Sequence, residues 1–203
     1  MAHNNIMDKD TLERLRARAS QHFLDSIAVK QAAEKILPEQ VARGIVAMTD
    51  CLRDGGKVMA CGNGGSAADA QHFSAELMGR FERERQELAA IALTTDTSIL
   101  TAVGNDYSYD EVFSKQVRGL GKKGDILIGI STSGNSKNVI NAIQVAKNKG
   151  MFVIGLTGKD GGLMKDLCDV EIRAPFSDYA DRSQEIHIKV IHSLIDYIER
   201  NID

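Results

Sequence analysis

The sequence predicts an α/β fold: a parallel sheet of about five strands, covered by helices on both faces and preceded by two helices. Three observations predict it. Short apolar runs recur at 58–61, 89–93, 126–130, 152–156 and 170–172, and most are apolar on both faces, as strands buried between helices should be. Helical patterns fill the intervals, the alternation that builds a parallel sheet. The first, third and fourth runs end in turns rich in glycine and hydroxyls, where open α/β sheets collect ligands beyond the C-terminal ends of their strands.

In chain order, residues 1–8 read as peripheral. From 10 to 36 the chain is helix-friendly, with Leu12, Leu15, Ala19, Phe23 and Ile27 at helical spacing. Pro38 sits where the first turn of a second helix begins, and Val41, Ile45, Met48 and Leu52 carry that helix to Gly55. No strand separates these two leading helices (1–55). Packing on their own domain is the ordinary reading, and packing against a partner subunit is the other. A helix over 66–80 follows the first strand, and 81–88 (FERERQEL) then reads as a charged, solvated loop. Further helices are expected at 98–103, 109–120 and 137–149, with a short piece at 163–167 and a long closing helix over 181–202.

The 203 residues fit one domain, 1–203, with length enough for a sizeable core. At 43% hydrophobic and 26% charged, the composition is that of a soluble globular protein. A net charge of −3 argues against nucleic acid as the main partner, because a binder of phosphate backbones needs a basic face. Cys51, Cys61 and Cys168 have neither CxxC spacing nor disulfide density, so they read as reduced, mostly buried thiols. No run approaches membrane-spanning length, and the polar start MAHNNIMDKD lacks the apolar core of a signal peptide. The expectation is a cytoplasmic protein with no membrane partner.

The stretch KVMACGNGGSAADAQHFSAELMG (57–79) organises the rest. Its glycine turn (Gly62, Gly64, Gly65) leaves backbone N–H groups free at a helix start, which suits them to hold an anion. Gly62 to Ala67 also fits G-x-G-x-x-A, the dinucleotide fingerprint. That pattern wants an acid about 20 residues on, whereas the second strand ends near Asp96, 34 residues past Gly62. In the following helix Ala70, Phe73 and Leu77 form a core stripe, and Asp69, His72 and Glu76 an adjacent polar stripe. Such a stripe is either a solvated face or, since His and Glu one turn apart can share a zinc ion, a metal or acid–base pair. Spacing does not choose.

The run STSGNS sets four hydroxyls (Ser131, Thr132, Ser133, Ser136) around Gly134 directly before a helix. Capping uses one or two hydroxyls, so four point to a phosphate site that needs no lysine. The Walker A pattern is missing. In the last helix Asp181, Gln184, Glu185, His187 and His192 are embedded among Ile186, Ile188, Ile191, Leu194 and Ile195, which suggests a buried polar site or satisfied core histidines. Periodicity leaves the choice open: Glu185 and His192 share a face, while Gln184 sits nearer His187.

CGNGGSAADAQHFSAEL, AVGNDY, GISTSGNS, LTGKDGG and YADRSQEIHIKVIH together resemble the phosphoheptose isomerases of the sugar isomerase (SIS) domain family, from about Val41 to the C-terminus. The resemblance implies a flavodoxin-like sheet, a homotetramer built partly through the leading helices, and conversion of sedoheptulose 7-phosphate into D-glycero-D-manno-heptose 7-phosphate, the first step toward ADP-heptose for lipopolysaccharide. Carried over residue by residue, it assigns phosphate to Ser131, Thr132, Ser133 and Ser136, and the sugar to Asn63, Gly64, Gly65, Asn105 and Asp106. It assigns zinc to His72, Glu76, Gln184 and His192, with Glu76 and Gln184 also meeting substrate and with Glu76 and His192 as the acid–base pair. The residue types suit ketose–aldose isomerisation, which needs a base at carbon, a donor at oxygen and stabilisation of an oxyanion. The alternative is a tetrameric SIS adaptor that binds the bacterial replication initiator protein. The adaptor pattern tends to lose the Glu76/His192 pair, and both residues are present here. A regulatory sugar-phosphate sensor usually adds a DNA-binding domain, for which 203 residues leave no room.

Overall fold

The computed structural model describes residues 8–202, so the peripheral reading of the chain start falls, apart from Asp8, on residues outside that range. Asp8 itself accepts a hydrogen bond from Thr11 N and caps the first helix. The order is α1 (Lys9–Ile36), α2 (Pro38–Arg53), β1 (Val58–Gly62), α3 (Gly65–Met78), β2 (Ala90–Ala92), α4 (Thr97–Asp106), α5 (Ser114–Leu120), β3 (Ile126–Ser131), α6 (Lys137–Asn148), β4 (Phe152–Thr157), β5 (Val170–Arg173) and α7 (Ala180–Asn201). Two 3-10 turns, Tyr109–Glu111 and Gly162–Asp166, complete the set.

All five strands are parallel, in the order β2-β1-β3-β4-β5. This is the flavodoxin-like order, whose switch point lies between β1 and β3. Because side chains alternate across a strand, the sheet divides its core in two. Val58, Ala60, Ile126, Ile128, Ile130, Ile154 and Leu156 face α2, α3 and α7. Met59, Cys61, Leu127 and Val153 face α5 and α6 on the other side. Pro38 stands at the N-terminus of α2, where its missing N–H costs nothing.

Three expectations need correction. The helix expected over 109–120 is broken. Ser108 Oγ accepts from Asp110 N at 3.1 Å and caps a short 3-10 turn, after which the chain swings so that both Val112 and Phe113 are buried. The segment 81–88 is no free loop: Phe81 and Leu88 pack on the core, and the backbone N–H groups of Phe81, Glu82 and Arg83 all donate to Glu199. Finally, α1 does not bury its apolar stripe within the chain. Only Ser26 and Ala33 of α1 are buried, while Leu12, Leu15, Phe23 and Ile27 stay exposed, Phe23 at 74%.

His187 is a core histidine of α7, satisfied at one ring nitrogen only. It is fully buried and donates from Nε2 to the Thr157 carbonyl at 2.8 Å, and its Nδ1 has no partner. Burial pushes its pKa down to about 4. A histidine with a lowered folded pKa contributes stability that is full above its unfolded pKa and is lost as pH falls toward the folded value. Urea denaturation should therefore show wild-type stability declining between about pH 6.5 and pH 4, with a shallower decline in His187→Gln. Equal slopes in the two proteins would contradict this.

Candidate active site

The register of β1 against β3 sets Gly62 beside Ile130, so the glycine turn and the serine loop leave the sheet side by side. A reciprocal amide pair joins them. Asn63 Nδ2 donates to Asn138 Oδ1 at 2.9 Å, and Asn138 Nδ2 donates to Asn63 Oδ1 at 2.8 Å. Tyr109 Oη also reaches Asn63 Oδ1, at 3.2 Å. The sequence did not single out Asn138 and Tyr109. Their only signal was position, just after a ligand loop and at the start of a broken helix.

In the serine loop, Ser131 Oγ lies 2.9 Å from Ser136 Oγ and 3.4 Å from Ser133 Oγ. Ser136 occupies the N-cap position of α6, yet its hydroxyl makes no cap bond and points at Ser131 instead. Three hydroxyls thus converge at a helix N-terminus without being spent on the helix, as an anion site requires. Thr132 lies half-buried in the same turn. Gly134 has φ +65°, and a Cβ there would sit 2.0 Å from the Gly161 carbonyl oxygen, which ties this loop to the one after β4.

The second cluster stands on α3 and α7. His72 Nε2 lies 2.9 Å from His192 Nε2 and 3.6 Å from Glu76 Oε1. The imidazole contact is a hydrogen bond only when one ring carries the Nε2 proton and the other does not. Desolvation, and then the neighbouring His72 and Lys189, hold His192 below the ordinary histidine range against the opposing pull of Glu76. Gln184, eight residues before His192, packs against Gly65, where a Cβ would fall 2.6 Å from its Nε2. One turn before His72, Asp69 is buried with Oδ2 unpaired, and burial pushes its carboxyl up to about 6.

The structure therefore brings together His72, Glu76 and His192, sets Gln184 at the mouth of the glycine turn, and places the serines across the same switch point. Asn105 and Asp106 end α4 with exposed side chains bonded to each other at 2.8 Å, and no hydrogen bond ties them to Asn63 or the serines. Glu185 turns away, pairing with Arg182 on the side of α1. Asp96, the acid a dinucleotide site would use, is spent capping α4 through Ile99 N. Gly65 admits a glutamine, so its missing side chain serves a different purpose from that of the fingerprint.

Imidazole, carboxylate and amide are a donor set that suits zinc, and two imidazole nitrogens and a carboxylate oxygen of this chain already converge. As the side chains stand, no group of three or more His, Cys, Asp or Glu among the described residues is arranged to hold a metal ion. His72 and His192 touch each other directly, so holding an ion between them requires the two rings to part. A groove of about 750 Å³ opens at the other, N-terminal end of the strands, beside Gly124, Ile126 and Phe152.

The SIS domain family model matches residues 21–158. A protein named phosphoheptose isomerase from Neisseria gonorrhoeae (strain NCCP11945) is 58% identical over 189 residues, spanning 91% of this chain and 95% of its own length. One of the same name from Laribacter hongkongensis is 55% identical over 185 residues, spanning 90% and 94%. Among solved structures, the phosphoheptose isomerase of N. gonorrhoeae superposes with a TM-score of 0.86 at 54% identity, over 92% of this chain and 99% of that one. That of Francisella tularensis gives 0.88 at 42% identity, over 91% and 98%.

Gly134→Ala should break the serine loop, because the left-handed φ and the contact with Gly161 both penalise a Cβ. We expect a loss of about 1–3 kcal/mol in urea denaturation, and weaker binding of inorganic phosphate by calorimetry. Unchanged stability and phosphate affinity would contradict the assignment.

Proposed function

This chain belongs to the phosphoheptose isomerases of the SIS domain family and is an isomerase, and we propose that it converts sedoheptulose 7-phosphate to D-glycero-D-manno-heptose 7-phosphate, the first step toward ADP-heptose. The observation that carries the reading is the convergence of His72, Glu76 and His192 beside a hydroxyl-rich anion loop, at the switch point of the sheet. Ser131, Thr132, Ser133 and Ser136 hold the phosphate, and Asn63, Gly64, Gly65 and Gln184 meet the sugar chain. Asn105 and Asp106 also meet the sugar, from the end of α4. Glu76 takes a proton from C1 of the ketose and returns it to C2, while His192 gives a proton to O2 and takes the one from O1, so that the charge passes through an enediolate and both residues end as they began. His72, Glu76, Gln184 and His192 are the residues that would hold zinc, which when bound supplies Lewis-acid stabilisation of that oxygen. The isomerase name of relatives at this identity favours the enzyme over an adaptor.

Turnover of sedoheptulose 7-phosphate by the purified protein tests the reading. Wild type should isomerise the ketose, and Glu76→Gln should lose on the order of 10²-fold or more in kcat while still binding substrate. A folded wild type inactive with and without zinc would overturn the assignment.

The exposed stripe of α1 supports a homotetramer assembled partly through this helix, since Leu12, Leu15, Phe23, Leu24 and Ile27 make one long apolar face. Light scattering should give a four-chain mass for the wild type and a smaller one for Phe23→Glu. A wild-type monomer would refute this.

A further inference from the structure

The charged segment between α3 and β2 builds a buried ionic strap whose parts all end on the two helices that carry the candidate acid and base. Glu199, two turns beyond His192 on α7, is buried. Its carboxylate accepts from Phe81 N at 3.0 Å, Glu82 N at 2.7 Å and Arg83 N at 3.0 Å. Arg85 Nε lies 3.5 Å from the same carboxylate, and the two side chains are only 7% and 1% exposed. The far end of that guanidinium donates to the last carbonyls of α3. Nη2 reaches Glu76 O at 2.7 Å, and Nη1 reaches Leu77 O at 2.9 Å and Gly79 O at 3.0 Å. Leu88 N closes the segment back onto Leu77 O at 3.0 Å. Phe81, held by its N–H, lays its ring on His192 with centroids 5.5 Å apart.

A helix normally leaves its last carbonyls to water or to a glycine cap. Here a desolvated cation takes two of them and the cap residue's, and it is paired, without a hydrogen bond from Nε, with an anion on the facing helix. Removing one partner of such a buried pair leaves the other charge uncompensated, so the strap is sensitive to change at either end. The Glu76 carbonyl is one of the three atoms held, which fixes the backbone of that residue directly. On the other helix, the Phe81 ring limits the swing of His192. Burial opposes ionisation of Glu199, but the three N–H donors and Arg85 outweigh it and keep the carboxyl below the usual glutamate range.

We propose that Arg85 and Glu199 are positioning residues for the isomerase reaction: they clamp the C-terminal end of α3 to α7 and so set the distance between Glu76 and His192. The inference rests on the functional reading above, and neither residue touches substrate. The phosphate loop grows from β3, away from the strap, so loss of the clamp should leave substrate binding intact and slow the chemistry.

The test is steady-state kinetics of Arg85→Met and Glu199→Gln beside wild type, Glu76→Gln and Phe113→Leu, a core substitution on the other face of the sheet. All are assayed well below their melting temperatures. A displacement of about 1 Å at reacting groups costs on the order of 10²-fold, so Arg85→Met should lose roughly tenfold to a hundredfold in kcat with KM within about twofold. Phe113→Leu should lose stability but keep wild-type kcat. Should Arg85→Met fail to fold, Glu199→Gln, which keeps the shape and drops the charge, carries the same expectation. A folded strap variant with wild-type kcat overturns this inference alone, as does one whose loss lies entirely in KM. A wild type that does not isomerise the substrate overturns the functional reading, and this inference with it.

Discussion

The pairing of β1 with β3 is the constraint on which the site depends. Parallel strands need crossover connections, and β2 takes the far side of β1, so β1 and β3 send their following loops in opposite directions and leave a crevice between them. The register that pairs Gly62 with Ile130 lets Asn63 meet Asn138 across that crevice. A slip along this ladder would pull the serine loop away from the glycine turn. The interior packing on both faces guards against that, because a one-residue shift would move Val58 and Ala60 into the layer that Met59 and Cys61 fill.

The second requirement is that α3 and α7 keep one separation. His72 and Glu76 lie on the first helix, Gln184 and His192 on the second, and no covalent link joins them nearby. Two things fix the distance. One is apolar: Phe73 and Leu77 pack in the same core layer as Ile191, Leu194, Ile195 and Ile198. The other is the ion-paired strap from Glu199 to Arg85. Apolar packing tolerates small slides, whereas the bonds at 2.7–3.0 Å from three backbone N–H groups just past α3 to Glu199 on α7 do not.

How much of this could be read from the residues depended on range. The strands were legible because burial on both faces leaves continuous apolar runs, and the serine loop because four hydroxyls exceed what a cap uses. The convergence of His72 with His192 was not legible from spacing, since 120 residues separate them and each helix offered several polar candidates. His187 and His192 read alike in sequence, and only the sheet decides that one meets the Thr157 carbonyl and the other His72. The segment 81–88 is the charged loop expected, with Glu82, Arg83, Glu84, Gln86 and Glu87 exposed, but its anchoring was missed for a definite reason. Charge density predicts solvation only when the charges lack buried partners, and Glu199, more than 110 positions away, was invisible to any local pattern. The α1 stripe showed the opposite failure: its helix was plain, but periodicity does not say which surface an apolar face will cover.

The two clusters divide the labour between the faces of the sheet. The serine loop opens α6, which packs against Met59, Leu127 and Val153, whereas the histidines and Glu76 belong to helices packed against Val58, Ala60 and Ile128. In the proposed reaction, holding the phosphate and moving the proton would thus be supported by separate cores that meet only at the strand ends. Phosphate is the same in substrate and product, so the part of its binding that is equal throughout lowers KM without raising kcat. In the proposed reaction the acceleration would come largely from the other face, where Glu76 and His192 are assigned to the atoms that change. An isomerase that converts one sugar phosphate into another gains from this separation, because the grip on the unchanging end can be rigid while the helix pair alone sets the geometry at the reacting carbons.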